Sequence, residues 1–276
     1  MIKQLLIIFF ILLNYVANSS FAQETVNTTT INKWSVGIQC YSPEKLNPVA
    51  TGGGGISQDG HYYSGTDLKE KTFFSYGAIV HYNINNNITL RFRAGVNNRK
   101  ITQYYNTSEG TFNGIALPTN FCDIGTATVK QSAQRFGIGI QRAFHLNNFD
   151  AYAGLEFQYT SYSHFTLHYT TLNVRDTITD VSEGNWDIPG GFVIGASPYI
   201  GCNLYVMKRI SIGAEVAFSY TYMKFGGDAY SDFYTTSPSG GNLVMIQRNS
   251  IERIGFDEVK TMLSIAYHFG NKQNKI

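Results

Sequence analysis

RISIGAEVAFSYTY, residues 209–222, alternates almost without error. Ile210, Ile212, Ala214, Val216, Phe218 and Tyr220 take one face, and Ser211, Gly213, Glu215, Ala217 and Ser219 take the other. Period-two alternation marks a half-buried β-strand, because successive side chains of an extended chain point to opposite sides of the sheet. The fold turns on which face meets solvent. An apolar face turned inward makes a soluble β protein, and an apolar face turned outward makes a membrane barrel.

About eight segments read as strands in this way. INKWSVGIQCY sets Trp34, Val36, Ile38 and Cys40 against Ser35, Gly37 and Gln39. TFFSYGAIVHY sets Phe74, Tyr76, Ala78, Val80 and Tyr82 against Ser75, Gly77 and His81, and ITLRFRAGV sets Ile88, Leu90, Phe92, Ala94 and Val96 against Thr89, Arg91, Arg93 and Gly95. QRFGIGIQRAF, AYAGLEFQY, GFVIGASPYIGCNLYV and EVKTMLSIAYHF continue the series to Phe269. Pro198 falls inside the sixth candidate, GFVIGASPYIGCNLYV, and lacks the N–H that a ladder needs, so a bulge or local bend is expected there.

The composition favours the outward reading. Charged residues make up 14% of the chain, against roughly 25% in average soluble proteins, while 43% are hydrophobic, 14% aromatic and 27 are Gly. The net charge of +2 gives no ground for a nucleic-acid partner. Cys40, Cys122 and Cys202 match no metal-binding spacing and read as small apolar fillers.

The chain opens with MIKQLLIIFFILLNYVANSSFAQET, in which Lys3 precedes an apolar run and Ser20-Phe21-Ala22 precedes Gln23. This predicts a secretory signal peptide over 1–22 and a mature chain, 23–276, that forms a single barrel domain. No later apolar run reaches the ~20 residues of a membrane-spanning helix, so membrane integration would use strands closed into a barrel, where every backbone group is paired. The connectors alternate long and short: Ser42 to Lys71, a NINNN turn, Gly110 to Thr126, a HLNNF turn, Asn173 to Pro189, an MKR turn, and Gly226 to Arg253. Short turns on one side and long loops on the other are the plan of an up-and-down outer-membrane barrel, with short periplasmic turns and long extracellular loops. The apolar faces end in aromatics, Trp34, Tyr82, Phe144 and Phe269 toward the periplasmic side and Phe74, Tyr159, Phe192 and Tyr222 toward the other, which would form two interface girdles. Ile210, Ile212, Val216 and Phe218 should then face lipid and Glu215 the lumen.

On this combined pattern the chain resembles the small outer-membrane β-barrel family that includes the barrel domains of outer-membrane proteins A and X. The resemblance spans Trp34 to Phe269 and rests on the leader, the strand count, the loop alternation and the closing strand LSIAYHF; GNKQNKI follows Phe269, where many such proteins stop. It implies residence in the outer membrane of a Gram-negative bacterium, with outer-membrane lipids including lipopolysaccharide and the barrel-assembly machinery as partners, and no cofactor.

Counting from the short turns brings Arg93, Glu156 and Glu215 to similar depths on the inward face, with Arg91 lower and Arg135 and Lys260 higher. An eight-stranded barrel is just wide enough for its side chains to fill it, and buried charges are costly unless paired. The six residues are therefore expected to form an ion-pair network that plugs the lumen. HFTLH, residues 164–168, lacks the Glu of a zinc helix, and in a strand its imidazoles lie roughly 13 Å apart. TGGGGISQDG lacks the Lys-Ser or Lys-Thr of a phosphate loop and reads as an external loop. A catalytic triad could be drawn only from Ser57, Asp59, His61 and Ser64, residue types that any polar loop offers. The sequence thus predicts a non-enzymatic barrel with a structural or surface-interaction, adhesion-type role; a small porin-like pore and a lipid A-modifying enzyme are the alternatives.

Overall fold

In a computed structural model, the described residues are 33–42, 68–70, 75–106, 111–112, 115–116, 121–146, 149–175, 178–207, 209–236, 241–257 and 259–269. All fall in the unit Ile31–Asn271. The predicted signal segment, Phe74 and the candidate loop residues Ser57, Asp59, His61 and Ser64 lie outside them.

The strands are β1 (Trp34–Tyr41), β2 (Leu68–Glu70), β3 (Ser75–Asn83), β4 (Ile88–Asn106), β5 (Thr111–Phe112), β6 (Ile115–Ala116), β7 (Phe121–Leu146), β8 (Phe149–Tyr162), β9 (Phe165–Arg175), β10 (Ile178–Ile188), β11 (Gly191–Met207), β12 (Ile210–Ala217), β13 (Tyr220–Thr235), β14 (Asn242–Phe256) and β15 (Lys260–Phe269). Antiparallel ladders run β1–β3–β4–β7–β8–β11–β12–β15 and return to β1, a closed ring of eight staves. The seam pairs Trp34 with Phe269 and Tyr41 with Met262.

Burial answers the question posed by residues 209–222. In β12 the polar face is the buried one: Glu215 is 6% exposed and Ser211 1%, whereas Ile212 is 47% exposed. β1 repeats the inversion, with Ser35 and Gln39 buried and Val36 and Ile38 exposed. A closed sheet that is apolar outside and polar inside is a transmembrane barrel of the outer-membrane type, because only lipid makes that surface favourable.

The short turns have local causes. In the NINNN turn, Asn85 Oδ1 accepts from the N–H groups of Asn87 at 2.9 Å and Ile88 at 2.8 Å, so the side chain caps the turn backbone. On the opposite side the structure corrects the expected loops. Asn173 to Pro189 is mostly the hairpin of β9 and β10, which pair from Ile178–Arg175 to Ile188–Phe165. Gly226 to Arg253 is largely β13 and β14, paired from Tyr220–Phe256 to Tyr234–Asn242, and β7 begins at Phe121 inside the stretch from Gly110 to Thr126. Bulges let the wall bend as it rises. The register shifts by one residue between the Ala217–Lys260 and Tyr220–Phe256 pairs. Residues 188–190 face 226–229, where Gly226 (φ 94°) occupies a backbone region that only glycine enters freely.

Pro198 produces no bulge. Ala196 pairs with Tyr220 and Tyr199 with Ala217, so the register passes through it unshifted. Its carbonyl still accepts from Phe218 N–H at 2.9 Å, and one donor is simply missing. Beside the gap, Ser197 Oγ and Ser219 Oγ share a buried hydrogen bond at 2.8 Å. Pro198→Ala should restore a ladder bond worth about 1 kcal/mol and lose about the same through a looser unfolded chain. The unfolding midpoint in detergent is expected to move by less than about 1 kcal/mol, against several for a proline that strained the strand.

Candidate functional site

Arg91 and Arg93 sit two apart on β4 and so share its inward face; Arg135 enters from β7, Glu156 from β8 and Glu215 from β12. Arg91 bridges both carboxylates. Its Nε and Nη2 donate to Glu156 Oε2 at 2.9 and 2.6 Å, its Nη2 donates to Glu215 Oε1 at 3.1 Å, and its Nη1 donates to Glu215 Oε2. Arg93 Nη2 donates to Glu215 Oε1 at 3.0 Å, and Arg93 Nη1 lies 3.3 Å from Glu156 Oε1. Arg135 Nη2 lies 3.6 Å from the same oxygen and donates to Gln158 Oε1. The structure thus brings five of the six expected lumen charges into one buried cluster. Lys260 stands apart, with Nζ 3.8 Å from Asp257 Oδ2.

Three guanidinium groups face two carboxylates, and aromatic faces take part of the excess positive charge. The Arg91 guanidinium lies 3.6 Å from the Tyr199 ring centroid, and Arg135 lies 5.5 Å from that of Tyr41. Sequence reasoning missed these rings. They fit because inward-facing glycines give them room: a Cβ on Gly154 would stand 2.5 Å from the Tyr199 ring, one on Gly201 2.5 Å from Tyr152, and one on Gly95 2.2 Å from the Tyr41 hydroxyl. For Tyr199 with Gly154 and Tyr152 with Gly201 the available signal was the coincidence of Gly and Tyr on the inward parity of neighbouring strands; Tyr41 reaches Gly95 across β3. Gly137 and Gly139 do the same for Glu156, whose Cδ would lie 2.7 Å from a Cβ at Gly137.

Above the cluster, away from the short turns, Ile101, Val129, Phe165, Leu167, Ile188 and Phe225 form a buried apolar layer. Below it, Ser35 Oγ and His81 Nδ1 share a hydrogen bond at 3.1 Å, and Ser211 Oγ and His268 Nε2 another at 2.8 Å. A cavity of about 20 Å³ remains between Gln39, His81, Arg93, Asn203, Glu215 and His268, room for about one water. Along the described lumen, polar pairs, the charge cluster with its rings, and the apolar layer thus follow one another in that order from the short turns upward.

The girdle aromatics lie outward. Trp34 meets Tyr82 with ring centroids 4.6 Å apart and planes tilted by 50°, and pairs in register with Phe269 at the lower rim; at the upper one Phe192 stacks on Tyr159 at 6.3 Å and meets Tyr222 at a tilt at 6.0 Å. Phe144 lies on β7, with the Arg142 guanidinium 5.9 Å from its ring. His164 and His168 are exposed and take separate partners, Asp187 at 2.8 Å and Asn185 at 2.7 Å. Among the described residues no three His, Cys, Asp or Glu side chains are arranged to hold a metal. Beyond the girdle, on the exposed wall, Arg248 donates to Asp228 through Nε at 2.6 Å and Nη2 at 3.1 Å, and these hydrogen bonds hold the Asp228 carboxyl below its ordinary range.

No protein-family model and no curated protein matches the chain. Among solved structures, it is similar to the outer membrane protein OprG from Pseudomonas aeruginosa at 12% identity over 86% of this chain and 94% of that one, with a TM-score of 0.39. The outer membrane protein AlkL shares 13% identity over 92% and 98% of the two chains at a TM-score of 0.34. The outer membrane protease OmpT from Escherichia coli shares 9% over 90% and 100% at 0.33. At these scores no activity carries over from their names to this chain.

Proposed function

We propose that this chain is a closed-lumen barrel of the outer-membrane protein A and X kind, with a structural or adhesion-type role exercised by the wall it holds outside the membrane. The observation that carries this reading is the cluster of Arg91, Arg93, Arg135, Glu156 and Glu215, which fills the lumen at the level of the apolar belt. The exposed wall supports it. Tyr230, Tyr234 and the run Leu243, Val244, Met245 and Ile246 of β13 and β14 face solvent, and aromatic and apolar groups on a rigid sheet make contacts at low entropic cost. Its partners on this reading are outer-leaflet lipids, including lipopolysaccharide, the barrel-assembly machinery and an extracellular ligand; it performs no catalytic step.

Planar-bilayer recording of the refolded protein tests the proposal. The expected trace is flat. Discrete conductance that changes in Arg93→Ala or Glu215→Ala would establish the small pore instead, and altered lipid A in cells making the protein would establish the enzyme.

A further inference from the structure

One register row of inward positions runs Asn203, Gly213, Ser264, Gln39, Gly77 and Gly95 across β11, β12, β15, β1, β3 and β4. Three glycines and a serine keep this arc of the wall short. The cavity of about 20 Å³ lies against it, lined by Asn203, Ser264 and Gln39 of that row and by Arg93 and Glu215 of the charge cluster. Gln39 and Arg93 are each 4% exposed. Arg93 turns Nη1 and Nη2 to the two carboxylates, but among the described residues no acceptor meets its Nε or Gln39 Nε2. Two buried side chains with unmet donors therefore border one small space, where an unpaired donor is costly.

The charge of the cluster says what should fill it. Three guanidinium groups against two carboxylates leave one positive charge in a buried site, where an unbalanced ion is expensive. The rings of Tyr199 and Tyr41 attract the cations without adding a negative charge. Asp150, the other buried carboxylate among the described residues, accepts from Tyr205 Oη at 2.7 Å and lies 2.7 Å from His145 Nδ1. Glu215 borders the cavity with both oxygens already met, Oε1 by Arg91 and Arg93 and Oε2 by Arg91 and Tyr152. A water would satisfy the donors and leave the charge; sulfate, phosphate and carboxylates exceed the space. A halide is only slightly larger than water, carries a single charge and is held by N–H donors. We infer that Arg93 and Gln39 hold one monovalent anion of the halide class, chloride in ordinary salt solutions, which completes the charge balance of the plug. The inference rests on the closed lumen proposed above.

The test is urea unfolding of the detergent-folded protein in sodium chloride against sodium gluconate, an anion too large for the cavity, at equal ionic strength. The wild-type midpoint is expected to rise with chloride and then saturate; at ten times the dissociation constant the folding equilibrium gains about elevenfold. Gln39→Leu removes one donor, leaves the ion pairs in place and should lose the saturable rise. Gln39→Glu supplies the missing negative charge from the chain itself, so its midpoint in gluconate should match that of wild type in chloride and respond to neither salt. Equal wild-type midpoints in the two salts would leave a water in the cavity and overturn the site. A chloride response of the same size in wild type and in Gln39→Leu would overturn it as a general salt effect. Bilayer recording separates the two levels: a flat trace with no chloride effect on unfolding removes the anion alone, and discrete conductance removes the closed lumen itself.

Discussion

Glu215→Lys is expected to lower the stability of the detergent-folded barrel by about 5 kcal/mol, the upper end of what breaking a buried ion pair costs. Glu215 accepts from both Arg91 and Arg93. The substitution leaves four cations facing one carboxylate where three had faced two, in a site with room for about one water. Nothing nearby can neutralise the surplus, since the aromatic faces of Tyr199 and Tyr41 are already occupied by Arg91 and Arg135. Glu215→Gln keeps an acceptor and should cost less, about 3 kcal/mol. The measurement is the urea midpoint at which the heat-modifiable band disappears. An unmoved midpoint in the Lys variant would remove the cluster from any part in holding the barrel together.

Gly137→Leu is expected to be comparably damaging by a steric route. A Cβ there would stand 2.7 Å from both Cδ and Oε1 of Glu156, and one at Gly139 on the same strand 3.1 and 3.2 Å from its Cα and Cβ. The carboxylate cannot retreat, because Arg91, Arg93 and Arg135 converge on it. Overpacking of a filled interior costs about 1–3 kcal/mol, and displacement of Glu156 adds the loss of its pairs, about 3–5 kcal/mol. Gly137→Ala should give a graded, smaller loss in the same assay. A Leu variant as stable as wild type would mean that Glu156 moves freely and that the close approach is not a constraint.

The membrane-level barrel was legible because lipid imposes a one-residue rule: outward positions must be apolar, so Trp34, Val36 and Ile38 or Ile210 and Ile212 announce their parity. Past the girdle that rule lapses. The outward faces of β9, β10, β13 and β14 meet solvent and only their lower ends bury apolar side chains such as Phe165, Leu167 and Ile188, so Thr170, Glu183 and Asp232 mark no side; strand patterning could be followed as far as Tyr169, and β10, β13 and β14 read as loops. The parity that places Arg91, Arg93, Glu156 and Glu215 inward was readable, and residue counting gave their depths. Lys260 was likewise counted to stand higher, and β15 holds one register with β12 from Ile210–Tyr267 to Ala217–Lys260; what the count did not show is that its ammonium lies 3.8 Å from Asp257 Oδ2. The rings over Gly95, Gly154 and Gly201 were hidden for a different reason: a glycine announces space without saying which neighbour fills it.

The seam between β1 and β15 has a temporal side. The hairpins β3–β4, β7–β8 and β11–β12 join near neighbours and can form early, but the ring closes only when Trp34 meets Phe269, at the far ends of the described chain. The entropy of closing so long a loop grows only logarithmically with its length, so equilibrium stability suffers little, whereas rates fall steeply as contacts become non-local. Until then β1 and β12 each present an unpaired edge, a template for the wrong partner. The last strand therefore acts as a clock: the chain must be shielded for as long as β15 takes to arrive, and a chain ending before Lys260 would remain an open sheet.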